Sequence, residues 1–331
     1  MLALVTSKVA SADLRPFNIR PLIGHRFRTM KLSKFIHDVE FDIRDRLKAI
    51  VKDAAAAAKA AGRRHKGNSS SVTYSVRGLA TKQANAVHDV KAAGLDVRAY
   101  KSAIHDGFDS LQRGPAKSAA CVYERLRARL IVLTKVAPMF ADGENVHSVA
   151  LAKMGHRQPV GSLDRFRPAA ALRMVKAIHR ELRQRGVPSK AFGVVEISLI
   201  EVDGKLLYEP HVHMIIAGPT REELLAVVPR RPRHNSKIEP VYHSGGSGLY
   251  FSKFEPEERA GYEDKRGNQG RQRNKMQASE RAEWLQWYAQ HGMAELMILI
   301  GFQPGLMRQF MTADLRELVR EFLGIRHRGR G

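Results

Sequence analysis

One stretch constrains the fold more than any other: AFGVVEISLIEV, then DG, then KLLYEPHVHMIIAG, from Ala191 to Gly218. Two runs rich in Val, Ile and Leu flank Asp203-Gly204, a pair suited to the positive φ angles of a two-residue type I′ turn. The pattern predicts a long antiparallel hairpin. With Asp203 and Gly204 as the turn residues, Val202 pairs with Lys205. Counting back, Glu196 falls opposite His211 and Val194 opposite His213. Opposed residues share a face, with Cβ atoms ~5 Å apart. Glu196, His211 and His213 are therefore expected to converge on one side of the sheet. Two imidazoles and a carboxylate make a divalent-metal site with positions left open for substrate and water. A turn one residue longer would reverse the face parity and make Glu201 the better carboxylate, with Asp203 a further alternative. Glu209 shares the histidine face and can orient one of the imidazoles. The plainer reading is a half-buried strand whose histidines simply occupy its polar side.

Charge narrows the partners. Across 331 residues, 56 Lys and Arg against 33 Asp and Glu give a net charge of +23 and a pI near 10.4. A chain this basic is suited to a polyanion, because each cation that neutralises a phosphate releases a counterion. No stretch is long and apolar enough to span a bilayer. The opening MLALVTSKVASADLRPF has a short apolar patch but neither a basic n-region nor a clear h-region, so no signal peptide is expected. The single cysteine, Cys121, excludes an internal disulfide and a multi-cysteine zinc site. A bacterial cytoplasm is the expected location.

Around the hairpin the pattern divides the chain into three segments. Residues 1–118 read as a helical, basic accessory region, with a long helix over Lys31–Ala61 and a break at GRRHKGNSSS, Gly62–Ser71. Residues 119–256 hold the denser pattern. Leu130–Leu133, ending in Thr134, reads as a strand. Arg167–Gly186 reads as a helix, with Leu172, Val175, Ile178 and Leu182 at helical spacing. Thr220 and Glu223 predict a capped short helix, and KIEPVYH a further strand. Residues 257–331 open with a polar, basic loop, Glu258–Gln277. One or two helices follow, carrying Trp284, Trp287 and Tyr288, as core residues or as platforms for stacked bases. Thr312–Ile325 reads as an amphipathic helix, and RHRGRG as a phosphate-contacting tail. The chain has no Gly-x-x-x-x-Gly-Lys-Ser/Thr phosphate loop.

GLYFSKF places Tyr250 three residues before Lys253. On a helix after SGGSG, the two side chains lie one turn apart on one face. A tyrosine phenolate can attack phosphorus and hold a covalent intermediate, provided a metal or a cation such as Lys253 assists it. Taken alone, Tyr-x-x-Lys on a helix is more often packing beside a solvated lysine.

These pieces together resemble the rolling-circle replication initiators of the HUH endonuclease superfamily. RLIVLTKV, Arg129–Val136, resembles the family's first motif, a strand ending in Leu-Thr. EPHVHMII, Glu209–Ile216, resembles the His-hydrophobic-His motif, and LYFSKF, Leu249–Phe254, the nucleophile motif. GVVEISLIE, Gly193–Glu201, is similar to the strand before the histidines in plasmid initiators. The resemblance spans about Ala119–Pro256. It implies an α+β fold, a central antiparallel β-sheet with flanking helices. It implies a site-specific single-strand DNA endonuclease and strand transferase acting at an origin. Tyr250 would become linked to the 5′-phosphate and leave a 3′-OH for a polymerase. His211 and His213, with Glu196 chosen as third ligand, would bind Mg²⁺ or Mn²⁺. Lys253 would position the phosphate or steady the tyrosinate. Single-stranded origin DNA, a host helicase and a DNA polymerase are the implied partners. The order, histidines before tyrosine, is that of initiators and single-tyrosine transposases. The transposase is the first alternative; a non-catalytic DNA-binding protein on the same scaffold is the second. The segment HSGGSGL before Tyr250 has neither the second tyrosine nor the glutamate that some initiators use for termination, and Tyr242 is a poor substitute.

Overall fold

The computed structural model describes residues 32–62, 76–104, 118–140, 145–151, 157–228, 237–252, 261–263, 269–271 and 277–325. The helix expected over Lys31–Ala61 forms as two, α1 (Leu32–Asp38) and α2 (Glu40–Ala60), broken at the buried Val39. Two more helices follow: α3 (Val76–Ala92) and α4 (Val97–Ala103). Asp96 caps α4, its side chain accepting from the Ala99 N–H at 2.9 Å. Next comes α5 (Val122–Ile131), which widens into a π turn over Val132–Val136 and tightens over Ala137–Phe140.

The expected strand at Leu130–Leu133 is therefore helical. YERLRAR, just upstream, supplies strong helix formers, and every residue of α5 is buried. A short apolar run fits a helix enclosed on all sides as well as it fits a strand. Thr134 Oγ1 then donates to the Leu130 carbonyl one turn back, at 2.8 Å.

The sheet begins with β1 (Val146–Leu151) and β2 (Gln158–Pro159). Helix α6 (Pro168–Gln184) leads into β3 (Lys190–Val202) and β4 (Lys205–Ala217). Pro168 opens α6, and Gly186 at φ 75° follows its end. Then come α7 (Arg221–Val227), β5 (Lys237–Pro240) and α8 (Ser244–Phe251). Thr220 and Glu223 form the expected capping box at α7. The chain closes with β6 (Gly261–Glu263), β7 (Gln269–Arg271), α9 (Ala278–Ala289), α10 (Met293–Leu296), β8 (Met297–Ile300), α11 (Pro304–Thr312) and α12 (Leu315–Leu323). Asp314 caps α12, and Gly324 ends it in the left-handed region.

The architecture is α+β. The strand order is β5-β1-β4-β3-β6-β7, with β2 also beside β4 and β8 also beside β3. All pairings are antiparallel except β3 with β6. The β3–β4 hairpin turns at Asp203 (φ 49°) and Gly204 (φ 74°), the type I′ geometry expected of Asp-Gly. Its register runs from Val202↔Lys205 to Lys190↔Ala217.

Helices cover both faces. On one face, Tyr208 Oη donates to the Glu280 carbonyl of α9, and His147 lies beside Glu222 and Arg221 at α7. Helix α6 packs against β3, β8 and α7 in the same layer. Trp284, Trp287 and Tyr288 are core residues of α9, each at most 3% exposed, so stacking on bases is closed to them. Trp284 Nε1 donates to the Ile197 carbonyl at 3.0 Å and Trp287 Nε1 to the Phe166 carbonyl at 3.1 Å. The opposite face is the histidine face, overlaid by α8. A continuous apolar core draws on all three sequence segments, with Leu47 and Val90, Val132 and Phe192, Trp287 and Phe322 among its members.

MILI, Met297–Ile300, read from the sequence as part of the one or two helices after the basic loop, is instead a strand, short and directly continuous with a helix. Of the loop expected over Glu258–Gln277, β6 and β7 join the sheet and Gln277 caps α9. The remaining residues of that loop, like RHRGRG and Lys253, lie outside the described residues.

Candidate metal centre

The hairpin register places Glu196 opposite His211 and Val194 opposite His213, as the Asp-Gly turn predicts. Glu201 pairs with Leu206 and points to the other face, while Asp203 is spent in the turn. Among the described residues, Glu196, His211 and His213 are brought together as a potential metal-binding group, with ligand atoms all within 4.8 Å of one another. Glu196 Oε2 lies 3.3 Å from His211 Nε2 and 3.7 Å from His213 Nε2. Donors about 2.1 Å from one ion, at tetrahedral or cis-octahedral positions, lie about 3.0–3.4 Å apart. The three groups thus fit a divalent cation with little movement. All three side chains are partly open to solvent, so a ligand can approach.

Backbone geometry fixes one imidazole. His211 Nδ1 lies 3.3 Å from the Glu209 carbonyl, which can only accept, so the bond requires the proton on Nδ1. That tautomer leaves the Nε2 lone pair facing Glu196. Glu209 thus orients a histidine through its main chain. Its buried carboxylate instead accepts from Arg157 Nε at 2.6 Å. His213 is set by packing: its ring stacks on Phe251 at 5.5 Å and meets His211 edge-on at 4.8 Å. Gly193 lies beside it for a reason. A Cβ there would fall 2.5 Å from Met214 Cβ and 2.6 Å from the His213 carbonyl, so only glycine lets β3 approach β4 at this point.

Helix α8 brings in the tyrosine. SGGSG reads as flexible, yet here it forms the body of the helix, and two of its glycines are close-approach positions. A Cβ on Gly246 would lie 2.5 Å from Ala54 Cβ of α2; one on Gly248 would lie 3.2 Å from Ala137 Cβ. The Ala-rich stretch of α2 supplies the small surface that receives the helix. His243 caps it, Nδ1 accepting from the Gly246 N–H at 2.9 Å. Burial pushes the His243 pKa down, against an opposing pull from Asp53, which favours the neutral ring that capping needs. At the other end the buried Arg129 donates from Nε to the Ser252 carbonyl at 2.9 Å, a cation placed at a helix C-terminus. Ser252 Oγ closes the last turn onto the Gly248 carbonyl at 2.7 Å.

So held, Tyr250 is 47% exposed, and its ring stands edge-on to His213 at 5.6 Å between centroids. Sequence reasoning brought Tyr250, His211, His213 and Glu196 to one place. It missed Arg157, Arg129 and His243. Of these only His243 carried a readable signal, a polar residue immediately before a glycine-rich helix start.

No protein-family model, curated protein or solved structure matches the chain. No helix among the described residues is long and apolar enough to cross a membrane. The fold and the site therefore define an α+β protein with a His-His-Glu group able to hold a metal beside an exposed tyrosine.

Proposed function

We propose that the protein is a metal-dependent DNA-nicking enzyme of the HUH replication-initiator kind. One observation carries the reading: an exposed tyrosine stands against a histidine of a three-residue potential metal group, on a chain of net charge +23. A divalent ion, Mg²⁺ or Mn²⁺, held by Glu196, His211 and His213 would polarise a bound phosphodiester and stabilise charge developing on its oxygens. Tyr250 attacks the phosphorus through its phenolate oxygen. The new P–O bond joins tyrosine to the 5′-phosphate of the fragment 3′ of the cut, the bond from phosphorus to the 3′ oxygen breaks, and that oxygen leaves as a 3′-OH, the proton lost by the phenol balancing the one it gains. Such an end is what a polymerase extends, which fits rolling-circle replication from a nicked origin with a helicase to open the duplex. Arg157 and the Glu209 carbonyl keep His211 oriented, and Arg129, His243 and the glycines of α8 aim the tyrosine. Lys253 would serve as a cation near the tyrosinate or the phosphate.

The test is a denaturing gel. The protein is mixed with Mn²⁺ and end-labelled single strands from the replicon that encodes it, then boiled in detergent. The reading expects protein-linked DNA that carries only the label 3′ of the cut. Nicked DNA without an adduct would instead mean a hydrolase using water; tight binding without cleavage would mean a DNA-binding protein on this scaffold.

A further inference from the structure

The face opposite the histidines carries a feature the metal centre does not use. Helix α6 buries Ala171, Val175, Ile178 and Leu182. Its outward side presents Arg173, Lys176, Arg180 and Arg183, all exposed, at spacings of three, four and three residues. That spacing puts four cations in one stripe about 15 Å long. Like charges one turn apart repel, and helix pairs of this kind are destabilising in isolation. Among the described residues none of the four has an ion pair; the one acid on the helix, Glu181, is bonded to Arg185. The other exposed residues of the helix are small or polar: Ala169, Ala170, Ala177 and Gln184. A membrane-surface helix needs large apolar side chains to insert, and this exposed stripe has none. Small exposed residues beside the cations suit close approach to a phosphodiester backbone.

We infer that the α6 stripe is a docking surface for the backbone of double-stranded DNA. A straight helix of this length matches a duplex, whose major groove, about 12 Å wide, admits a helix and presents phosphates along both walls. The stripe lies across the sheet from the metal centre, so it would hold duplex while a single strand occupies the histidine face. The inference goes beyond the nicking reading, and its test does not depend on cleavage.

The test compares the full-length protein with two variants. One neutralises the stripe (Arg173→Gln, Lys176→Gln, Arg180→Gln, Arg183→Gln). The other removes the same charge from exposed lysines of α2 and α3 (Lys48→Gln, Lys52→Gln, Lys59→Gln, Lys91→Gln). Each is titrated with a random-sequence duplex of about 30 base pairs at several salt concentrations, since each lost phosphate contact lowers the log–log salt slope by about 0.9. The stripe variant should show a slope shallower by roughly 3–4, and the lysine variant a change of about 1 or less. Unaltered circular dichroism would establish that both remain folded. Equal slopes for the two variants would overturn the inference in favour of diffuse net charge. A stripe variant that keeps its duplex affinity but no longer binds phosphatidylglycerol vesicles would overturn it in favour of a membrane surface.

Discussion

Glu196 is the side chain on which the metal group turns. It approaches both imidazoles, whereas Glu201 lies on the far face opposite Leu206. Glu196→Ala should therefore weaken Mn²⁺ binding by at least tenfold, as loss of one ligand of three implies, while Glu201→Ala leaves it within about twofold. Isothermal titration measures both, and a larger effect at Glu201 would contradict the register. Tyr250 supports a separate prediction. Its ring borders the group and its hydroxyl is the proposed nucleophile, so Tyr250→Phe should abolish the protein–DNA adduct while retaining most of the edge contact with His213 and the affinity for an origin oligonucleotide. A phenylalanine variant that still forms the adduct would exclude Tyr250 as the nucleophile.

Helix α8 shows how packing aims a residue that sequence alone can only nominate. Gly246 rests on Ala54 so closely that a methyl group does not fit. Gly246→Ala should destabilise the protein by about 1–3 kcal/mol, as overpacking does, and Ala54→Gly should restore part of the loss in the double variant. Denaturant titration of the four proteins reads the coupling. The cap at the same helix titrates. His243 has a folded-state pKa below its usual 6.5, so its contribution is intact above that value and is lost as pH falls through the depressed one. His147 and His179 shift the same way, also through burial, so wild type alone does not isolate the cap. A His243→Asn variant keeps a capping side chain without the titration. Between about pH 7.5 and 5.5 it should lose less thermal stability than wild type does.

The hairpin register was legible because Asp-Gly fixes the turn and a period of two fixes the faces. The Tyr250 helix was only half legible, since glycines read as looseness until a close partner such as Ala54 is seen. Leu130–Leu133 was misread because burial on every side erases the periodicity that separates helix from strand.

At the level of the whole chain, the metal group joins the two central strands, and the tyrosine helix that overlies it is anchored on α2 and, through Arg129, on α5. A ligand that binds only where Glu196, His211 and His213 converge must therefore stabilise the folded state as a unit. Linkage gives about 2.7 kcal/mol at a free ion concentration one hundred times the dissociation constant. Mn²⁺ should accordingly raise the melting temperature of wild type by several degrees, an increase that chelation reverses. His213→Ala should abolish that increase and keep its own metal-free melting point. Tyr250→Phe should respond to the ion as wild type does, because the hydroxyl is no part of the ligand set. An equal response of wild type and His213→Ala would place the ion elsewhere on the surface. Loss of the response in Tyr250→Phe would instead make the phenol a ligand and remove it as the nucleophile.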